Sequence, residues 1–350
     1  MRKILPTLLA ASIILIHACA DKPANYVTGL KVYKEFDKSR KFDTIESSAF
    51  HYRPVKIDVF YPSTELPGGT SALSFADLMD MYEHRMNYNV SADSCRKVTR
   101  MLIDAIAPSA QLATVENLKT GIFRDLELPE SKLPLIIYAA GMNGSSWENF
   151  ILFDSLVRAG YVVAAISSVG LFPGFMSSPA DLNEQVQDIL FAKQKLSQLP
   201  FIDTSRIGLL SWSLGGSAIT KAAMLSKDFK CLLSMDGTDI HYYGYDKRWD
   251  KDFDSIMQIA PFDPSSIDVP YMYLSGQHPD VNDSIYNLMQ HVRSPEKYFL
   301  KFNDGNHVDF SAISAVMKAG DSSRINANHK SVCTLAQEFF DRYLKKRPGA

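Results

Sequence analysis

The stretch that most constrains the fold is residues 206–218, where an apolar run gives way to small residues and then to a helical pattern. Residues 207–210 are typical of a short buried strand, and apolar residues recur at helical spacing from 218 to 225. Between them stands Ser-Trp-Ser-Leu-Gly-Gly, at residues 211–216. A serine on a sharp turn from strand to helix projects its hydroxyl above the sheet edge, and only small neighbours allow that crossing. The pattern predicts that Ser213 is a nucleophile; the alternative is a purely structural Ser-Gly turn.

The charge balance excludes one class of partner. The chain has 350 residues, with 37 lysines and arginines against 39 acidic residues, a formal net charge of −2. Such a balance offers no electrostatic basis for binding nucleic acid. Of the four cysteines, Cys95, Cys231 and Cys333 are widely spaced beyond the N-terminal segment, which predicts neither a disulfide framework nor a metal cluster.

The N-terminal segment has the pattern of an export signal. Arg2 and Lys3 precede an apolar run, residues 4–18, that is too short to span a bilayer comfortably. The segment ends in Ile-His-Ala-Cys, which resembles a loose bacterial lipobox. We therefore expect residues 1–18 to be a lipoprotein-type signal peptide and Cys19 to carry a lipid anchor, the one membrane contact expected. His17 is atypical of a lipobox, so cleavage after Ala18 without lipidation stays open.

The remaining chain, residues 19–350, reads as one domain in which strands alternate with helices. Short apolar runs predict buried strands, and amphipathic stretches between them predict helices. This alternation is typical of an α/β fold with a doubly wound, mainly parallel sheet. The predicted strands are residues 27–36, 55–61, 133–139, 161–166, 207–210, 231–235, 270–274 and 297–302.

A helical insertion is expected at about residues 70–118. Apolar residues recur at helical spacing over residues 75–106, with turn-forming residues at 87–91. These helices either form a cap over a pocket or only extend the edge of the sheet, and the pattern leaves both open.

A serine hydroxyl needs a base, and His307 is the candidate. Ligands of such sheets bind at the carboxyl ends of the strands, and His307 directly follows the last predicted strand. It also lies after the serine and the candidate acids, in the chain order Ser, Asp/Glu, His. The chain has eight histidines, and His307 alone combines this order, a late strand end and a glycine turn.

Two aspartates compete for the role of the acid that orients the imidazole. Asp236 ends the strand after Ser213, and Asp280 follows the next strand. Either position allows an approach to His307, and the pattern alone does not separate them.

An oxyanion hole needs two backbone donors. One expected donor is the N–H of Leu214, next to the nucleophile. The other is expected in the glycine-rich loop after residues 133–139, at the N–H of Met142.

Together these segments resemble the α/β-hydrolases, in particular the platelet-activating-factor acetylhydrolase and dienelactone-hydrolase branch. The resemblance covers about residues 50–345, although only short motifs are specific. It implies the α/β-hydrolase fold, with no metal and no organic cofactor. In the acetylhydrolases the acid follows the strand after the nucleophile, which matches Asp236. Ala140 and Ser211 depart from the family's usual histidine and glycine. The specific motifs are residues 57–63, 135–144, 207–216, 233–237 and 303–310.

The leading hypothesis is an exported serine esterase, periplasmic or anchored to the outer membrane, that cleaves carboxylic esters through an acyl-enzyme. Short acyl or acetyl esters of small molecules, glycans or lipids are the expected substrates. A peptidase or amidase with the same Ser213, His307 and Asp236 is one alternative. A catalytically silent binding protein with this fold is another. The sequence does not indicate an oligomeric state.

Overall fold

The chain folds around a single mixed sheet covered by helices. The structure, a computed structural model, describes residues 25–42, 50–106, 112–167, 169–171, 179–239, 247–277, 288–317 and 324–345. Its strands are β1 (Val27–Lys41), β2 (Tyr52–Ser63), β3 (Ile122–Arg124), β4 (Leu133–Ala139), β5 (Val162–Ile166), β6 (Ile202–Trp212), β7 (Phe229–Met235), β8 (Tyr271–Ser275) and β9 (Lys297–Lys301). Its α-helices are α1 (Phe75–Met79), α2 (Ala92–Ile106), α3 (Leu112–Glu116), α4 (Phe150–Arg158), α5 (Pro179–Leu196), α6 (Gly215–Leu225), α7 (Lys247–Gln258), α8 (Leu288–His291), α9 (Ala312–Met317) and α10 (Arg324–Leu344).

The strand order is β3-β1-β2-β5-β4-β6-β7-β8-β9. Strand β2 runs antiparallel to both of its neighbours, β1 and β5. From β5 to β9 every neighbouring pair is parallel. The prediction of a doubly wound, mainly parallel α/β sheet is therefore confirmed. The carboxyl ends of these parallel strands lie at one edge, where the loops that carry the candidate site residues begin.

Helices cover both faces of the sheet, which is why its central strands are apolar almost without interruption. All five residues of β5 are buried, and so are six of the seven in β4. On one face, apolar side chains of α5 and α6 pack with the sheet in one core. On the other face, α4 and α10 contribute to a second core.

The segment expected as a helical insertion contains several short helices. Helix α1 is followed by a 3₁₀ helix, Glu83–Arg85, and α2 starts after the predicted turn at residues 87–91. A 3₁₀ helix, Ser146–Asn149, precedes α4. Helices α7 and α9 and the short strand β3 were not predicted: α9 and β3 are only six and three residues long, and α7 is a strongly charged segment despite its helical apolar spacing.

Strand β2 carries charged residues that are buried. The alternation of apolar and charged residues in β2 is typical of a strand with one exposed face. Instead both faces of β2 are buried. Lys56 and Asp58 are buried as an ion pair, with Lys56 Nζ 2.5 Å from Asp58 Oδ2. Burial lowers the pKa of Lys56, and the neighbouring Asp58 opposes that shift.

The expected signal peptide, residues 1–18, and Cys19 lie outside the described residues. Among the described residues, no helix combines the length and apolar character needed to cross a bilayer. The other three cysteines are buried and unpaired. Burial raises the pKa of the Cys231 thiol well above its usual range, in keeping with a small apolar core residue.

Candidate active site

Ser213 stands on a strained turn between β6 and α6. Its φ is +55°, a left-handed conformation that non-glycine residues rarely adopt. The close crossing depends on Gly215, since a Cβ there would lie 2.2 Å from the carbonyl oxygen of Ala139. The turn therefore has the geometry that the sequence predicts for a nucleophilic serine.

The structure brings Ser213, His307 and Asp236 into one hydrogen-bonded chain. His307 Nε2 lies 3.0 Å from Ser213 Oγ. His307 Nδ1 lies 2.6 Å from Asp236 Oδ2. In this arrangement the imidazole can accept the serine proton at Nε2, while the carboxylate holds the proton on Nδ1. The side chain of Asp236 is 0% exposed and that of His307 is 39% exposed, so the base is accessible from solvent and the acid is not.

The loop carrying Asp236 is fastened to the serine turn. Asp236 also has a positive φ, +48°. The N–H of Ser213 donates to the carbonyl of Met235, and the N–H of Thr238 donates to the carbonyl of Ser213. The N–H of Gly276 donates to Asp236 Oδ1 at 2.7 Å, which occupies the carboxylate oxygen turned away from His307. The competing candidate, Asp280, lies outside the described residues.

His307 opens a short 3₁₀ helix, His307–Phe310, directly after β9. Asn306 and Asp309 form a capping box around this turn. Trp212, for which the sequence pattern predicts no role, stacks on the imidazole and donates its indole N–H to the carbonyl of His307. The orientation of the imidazole is therefore set from two sides, by Asp236 and by Trp212.

The two expected oxyanion donors lie on the serine turn and on the loop after β4. Leu214 is the N-cap residue of α6, and Met142 lies in the loop after β4. Neither N–H has an acceptor within the parts of the chain that the structure describes. The loop passes close to the serine, since a Cβ on Gly141 would lie 3.3 Å from Ser213 Cβ. Both N–H groups are thus available for a developing oxyanion.

Several side chains hold the loop after β4, called here the oxyanion loop, in place. The sequence pattern does not single them out. Gln185 donates to the carbonyl of Ala140 at 2.8 Å. The hydroxyl of Tyr82, in the helical insertion, donates to the carbonyl of Asn143 at 2.8 Å. The insertion therefore contacts the loop directly.

Glu148 is the most unusual of these side chains. It is 1% exposed and follows the loop in the 3₁₀ helix Ser146–Asn149. Burial raises the pKa of its carboxyl to about 7, and hydrogen bonds from Tyr138 and the backbone oppose that rise. Its only sequence signal is a carboxylate in an otherwise apolar and small-residue segment next to a glycine-rich loop.

Ser211 stands where the resemblance to the α/β-hydrolases implies a glycine, and it places a hydroxyl in the core. Ser211 is 0% exposed, and its Oγ has no hydrogen-bond partner among the described residues. The backbone nevertheless runs as a regular strand through this position, paired with β4 and β7. Ser211 is thus accommodated in place of glycine without disrupting the turn that follows.

Comparisons with known proteins identify the family. Residues 153–347, more than half of the chain, match the prolyl oligopeptidase family (Peptidase_S9). Among curated proteins, none matches the sequence. The ferulic acid esterase from Streptomyces cinnamoneus is similar over 95% of this chain and 94% of its own, with a TM-score of 0.66 and 17% identity. An acylaminoacyl peptidase from Pyrococcus horikoshii is similar over 93% of this chain, with a TM-score of 0.51 and 16% identity. This chain spans only 43% of that peptidase.

At these identities the structural neighbours report the fold, whereas the sequence match reports the family. The narrower resemblance to acetylhydrolases and dienelactone hydrolases stays an expectation from the sequence. The protein is therefore a serine hydrolase of the α/β-hydrolase superfamily, and it belongs to the prolyl oligopeptidase family.

Proposed function

We propose that the protein hydrolyses carboxylic esters through an acyl-enzyme formed on Ser213. The observation that carries this proposal is the hydrogen-bonded chain from Ser213 Oγ through His307 to Asp236, at 3.0 and 2.6 Å. A serine hydroxyl is a weak nucleophile, and this chain supplies both the base and the group that orients it.

The reaction would run in two halves. Ser213 Oγ forms a bond to the carbonyl carbon while His307 Nε2 takes the hydroxyl proton. The N–H groups of Leu214 and Met142 stabilise the oxyanion, which then collapses and breaks the bond to the alcohol oxygen. His307 returns its proton to that oxygen, and the alcohol leaves. Water, deprotonated by His307, then attacks the acyl carbon; the bond to Ser213 Oγ breaks, His307 returns the proton to Oγ, and the acid leaves.

Ester substrates are favoured by two observations. The similarity to a ferulic acid esterase extends over nearly the whole length of both chains. The loops bearing the oxyanion donor and the base also carry exposed apolar side chains, Met142 at 41% and Val308 at 40% exposed. Such side chains suit an uncharged acyl or alcohol group. Short acyl esters and esters of aromatic acids are therefore the substrates to try first.

A peptidase or amidase is the second candidate, favoured by the match to the prolyl oligopeptidase family. The experiment compares p-nitrophenyl esters of graded acyl length and methyl ferulate with aminoacyl p-nitroanilides, using Ser213→Ala as the control. We expect kcat/KM for the best ester to exceed that for the best anilide at least 100-fold. A preference for the anilides would establish the peptidase instead. No turnover, together with no labelling by a fluorophosphonate, would indicate a binding protein.

We also propose that the protein is exported and lipidated at Cys19. The support is the basic start, the apolar run of residues 4–18 and the lipobox-like end of that run. Metabolic labelling with an alkyne fatty acid, in wild type and Cys19→Ser, tests this. Label in the wild type alone is expected. Absence of label from both wild type and Cys19→Ser, with the protein in the soluble periplasmic fraction, would indicate cleavage without an anchor.

A further inference from the structure

The carboxylate of Glu148 contacts the backbone of the oxyanion loop. Glu148 Oε1 accepts a hydrogen bond from the N–H of Gly141 at 2.8 Å and another from the hydroxyl of Tyr138 at 2.6 Å. The loop leaves no space beside this carboxylate, since a Cβ on Gly144 would lie 1.9 Å from Glu148 Oε2. The loop is therefore folded tightly over a buried acidic side chain.

The partners of this carboxylate are all hydrogen-bond donors. Asn149 Nδ2 donates to the phenolic oxygen of Tyr138, which leaves the hydrogen of that hydroxyl for Glu148. The backbone N–H of Ser145 also contributes to the carboxylate. A carboxylate satisfies such partners, whereas an apolar side chain would leave buried N–H and O–H groups unpaired.

The bond to Gly141 bears directly on the reacting centre. A Cβ on Gly141 would lie 3.0 Å from the Trp212 ring and 3.3 Å from Ser213 Cβ, so this residue packs against the serine turn. Directing the Gly141 N–H toward Glu148 fixes the backbone just before Met142. The next N–H in the chain is the proposed oxyanion donor, and its direction depends on that fixed backbone.

We propose that Glu148 is a positioning residue for the oxyanion hole: its carboxylate holds the Gly141 N–H and thereby aims the Met142 N–H at the oxyanion. This inference rests on the proposed function, because it assumes that Ser213 attacks a carbonyl group. Glu148 itself touches neither the substrate nor Ser213. Its contribution is made through the loop.

The test uses Glu148→Ala, Glu148→Gln and Tyr138→Phe. The readouts are the rate of Ser213 labelling by a fluorophosphonate, kcat and KM for p-nitrophenyl acetate, and inhibition by an aryl trifluoromethyl ketone. Loss of one oxyanion donor typically costs about 10²–10³ in rate. We expect Glu148→Ala to slow labelling and kcat by about that factor, with KM within about threefold and matching weaker inhibition. Glu148→Gln, which keeps an acceptor for Gly141, should recover most of the rate.

Tyr138→Phe is the matched control, since it removes the other hydrogen bond to Glu148 Oε1 and leaves the Gly141 bond. Its rates should fall much less than those of Glu148→Ala. If Glu148→Ala does not fold, Gly144→Ala tests the same point, because its added methyl group displaces the carboxylate. Labelling within threefold of wild type in a folded Glu148→Ala or Gly144→Ala variant would overturn the inference. Equal losses in Tyr138→Phe and Glu148→Ala would overturn it as well. A wild type that is not labelled at all would overturn the proposed function, and the inference with it.

Discussion

The indole of Trp212 and the imidazole of His307 are stacked, with ring centroids 5.0 Å apart and ring planes 25° apart. The indole Nε1–H also donates to the backbone carbonyl of His307 at 3.1 Å. Trp212 is the residue before Ser213. The serine turn and the histidine loop, which are distant in sequence, are therefore held together by a residue of the turn itself.

Two substitutions of Trp212 separate the effect of its hydrogen bond from the effect of its ring contact. Trp212→Phe keeps an aromatic ring against His307 but removes the indole donor. A neutral hydrogen bond contributes about 0.5–1.5 kcal/mol, so kcat/KM for an ester should fall about 2–12-fold. Trp212→Ala removes the ring as well, so kcat/KM should fall further in that variant. Equal values for Trp212→Phe and wild type in steady-state assays would show that the indole bond does not position His307.

The acid is tested by paired amide substitutions. Asp236→Asn removes the charge that orients His307, and kcat should fall by about 10⁴. Asp280→Asn should change kcat less than about threefold, since Asp236 Oδ2 already lies 2.6 Å from His307 Nδ1. Steady-state kinetics on both purified variants decides the point. The reverse pattern would assign the acid to Asp280.

The buried hydroxyl of Ser211 should destabilise the fold. Burying a hydroxyl without a partner costs about 1–3 kcal/mol, so Ser211→Ala should raise the free energy of unfolding by about 1 kcal/mol. The matched control is Ser197→Ala, which removes a hydroxyl that donates to the carbonyl of Lys193 at 2.7 Å. That change should lower stability. Urea unfolding measures both, and a destabilised Ser211→Ala would show that this hydroxyl has a stabilising partner.

His329 should make the protein sensitive to acid. Burial lowers the pKa of its imidazole from 6.5 to about 4, opposed by the nearby Asp309. Between these pH values the unfolded chain binds a proton that the folded chain does not, so stability falls as pH falls through this window. The free energy of unfolding lost in this way approaches about 3 kcal/mol at the acid end of this pH window.

The variant His329→Leu removes this titration. Its free energy of unfolding should therefore change less than that of wild type between pH 6.5 and 4, as measured by urea titrations at several pH values. Parallel stability curves for the two proteins would contradict a buried, neutral His329.

The sequence pattern located the serine turn and the base because Ser213 follows a buried strand and His307 follows the last strand, in a required chain order. Ser213 and His307 could be assigned for that reason. The choice between Asp236 and Asp280 could not be made from position, since both follow late strands. It depends on backbone hydrogen bonds between the Asp236 loop and the serine turn, which no local pattern encodes.

Other features were missed because they depend on packing between distant segments. Strand β2 alternates apolar residues with Lys56 and Asp58, and this local pattern does not reveal that the face bearing the two charges is covered in the folded chain. The hydroxyl of Ser146, beside the oxyanion loop, donates to the carboxylate of Asp58 at 2.5 Å. Glu148 was likewise inconspicuous, because its role comes from the fold of the loop over its carboxylate.

We expect Ser213 to carry the acyl group during turnover. The most direct measurement is rapid acid quench of the wild type during hydrolysis of p-nitrophenyl acetate, followed by peptic digestion and mass spectrometry. We predict one acetyl group, on the peptide containing Ser213, and none on that peptide in Ser213→Ala. Turnover that continues with the acetyl group on another residue, or in Ser213→Ala at the wild-type rate, would contradict the account.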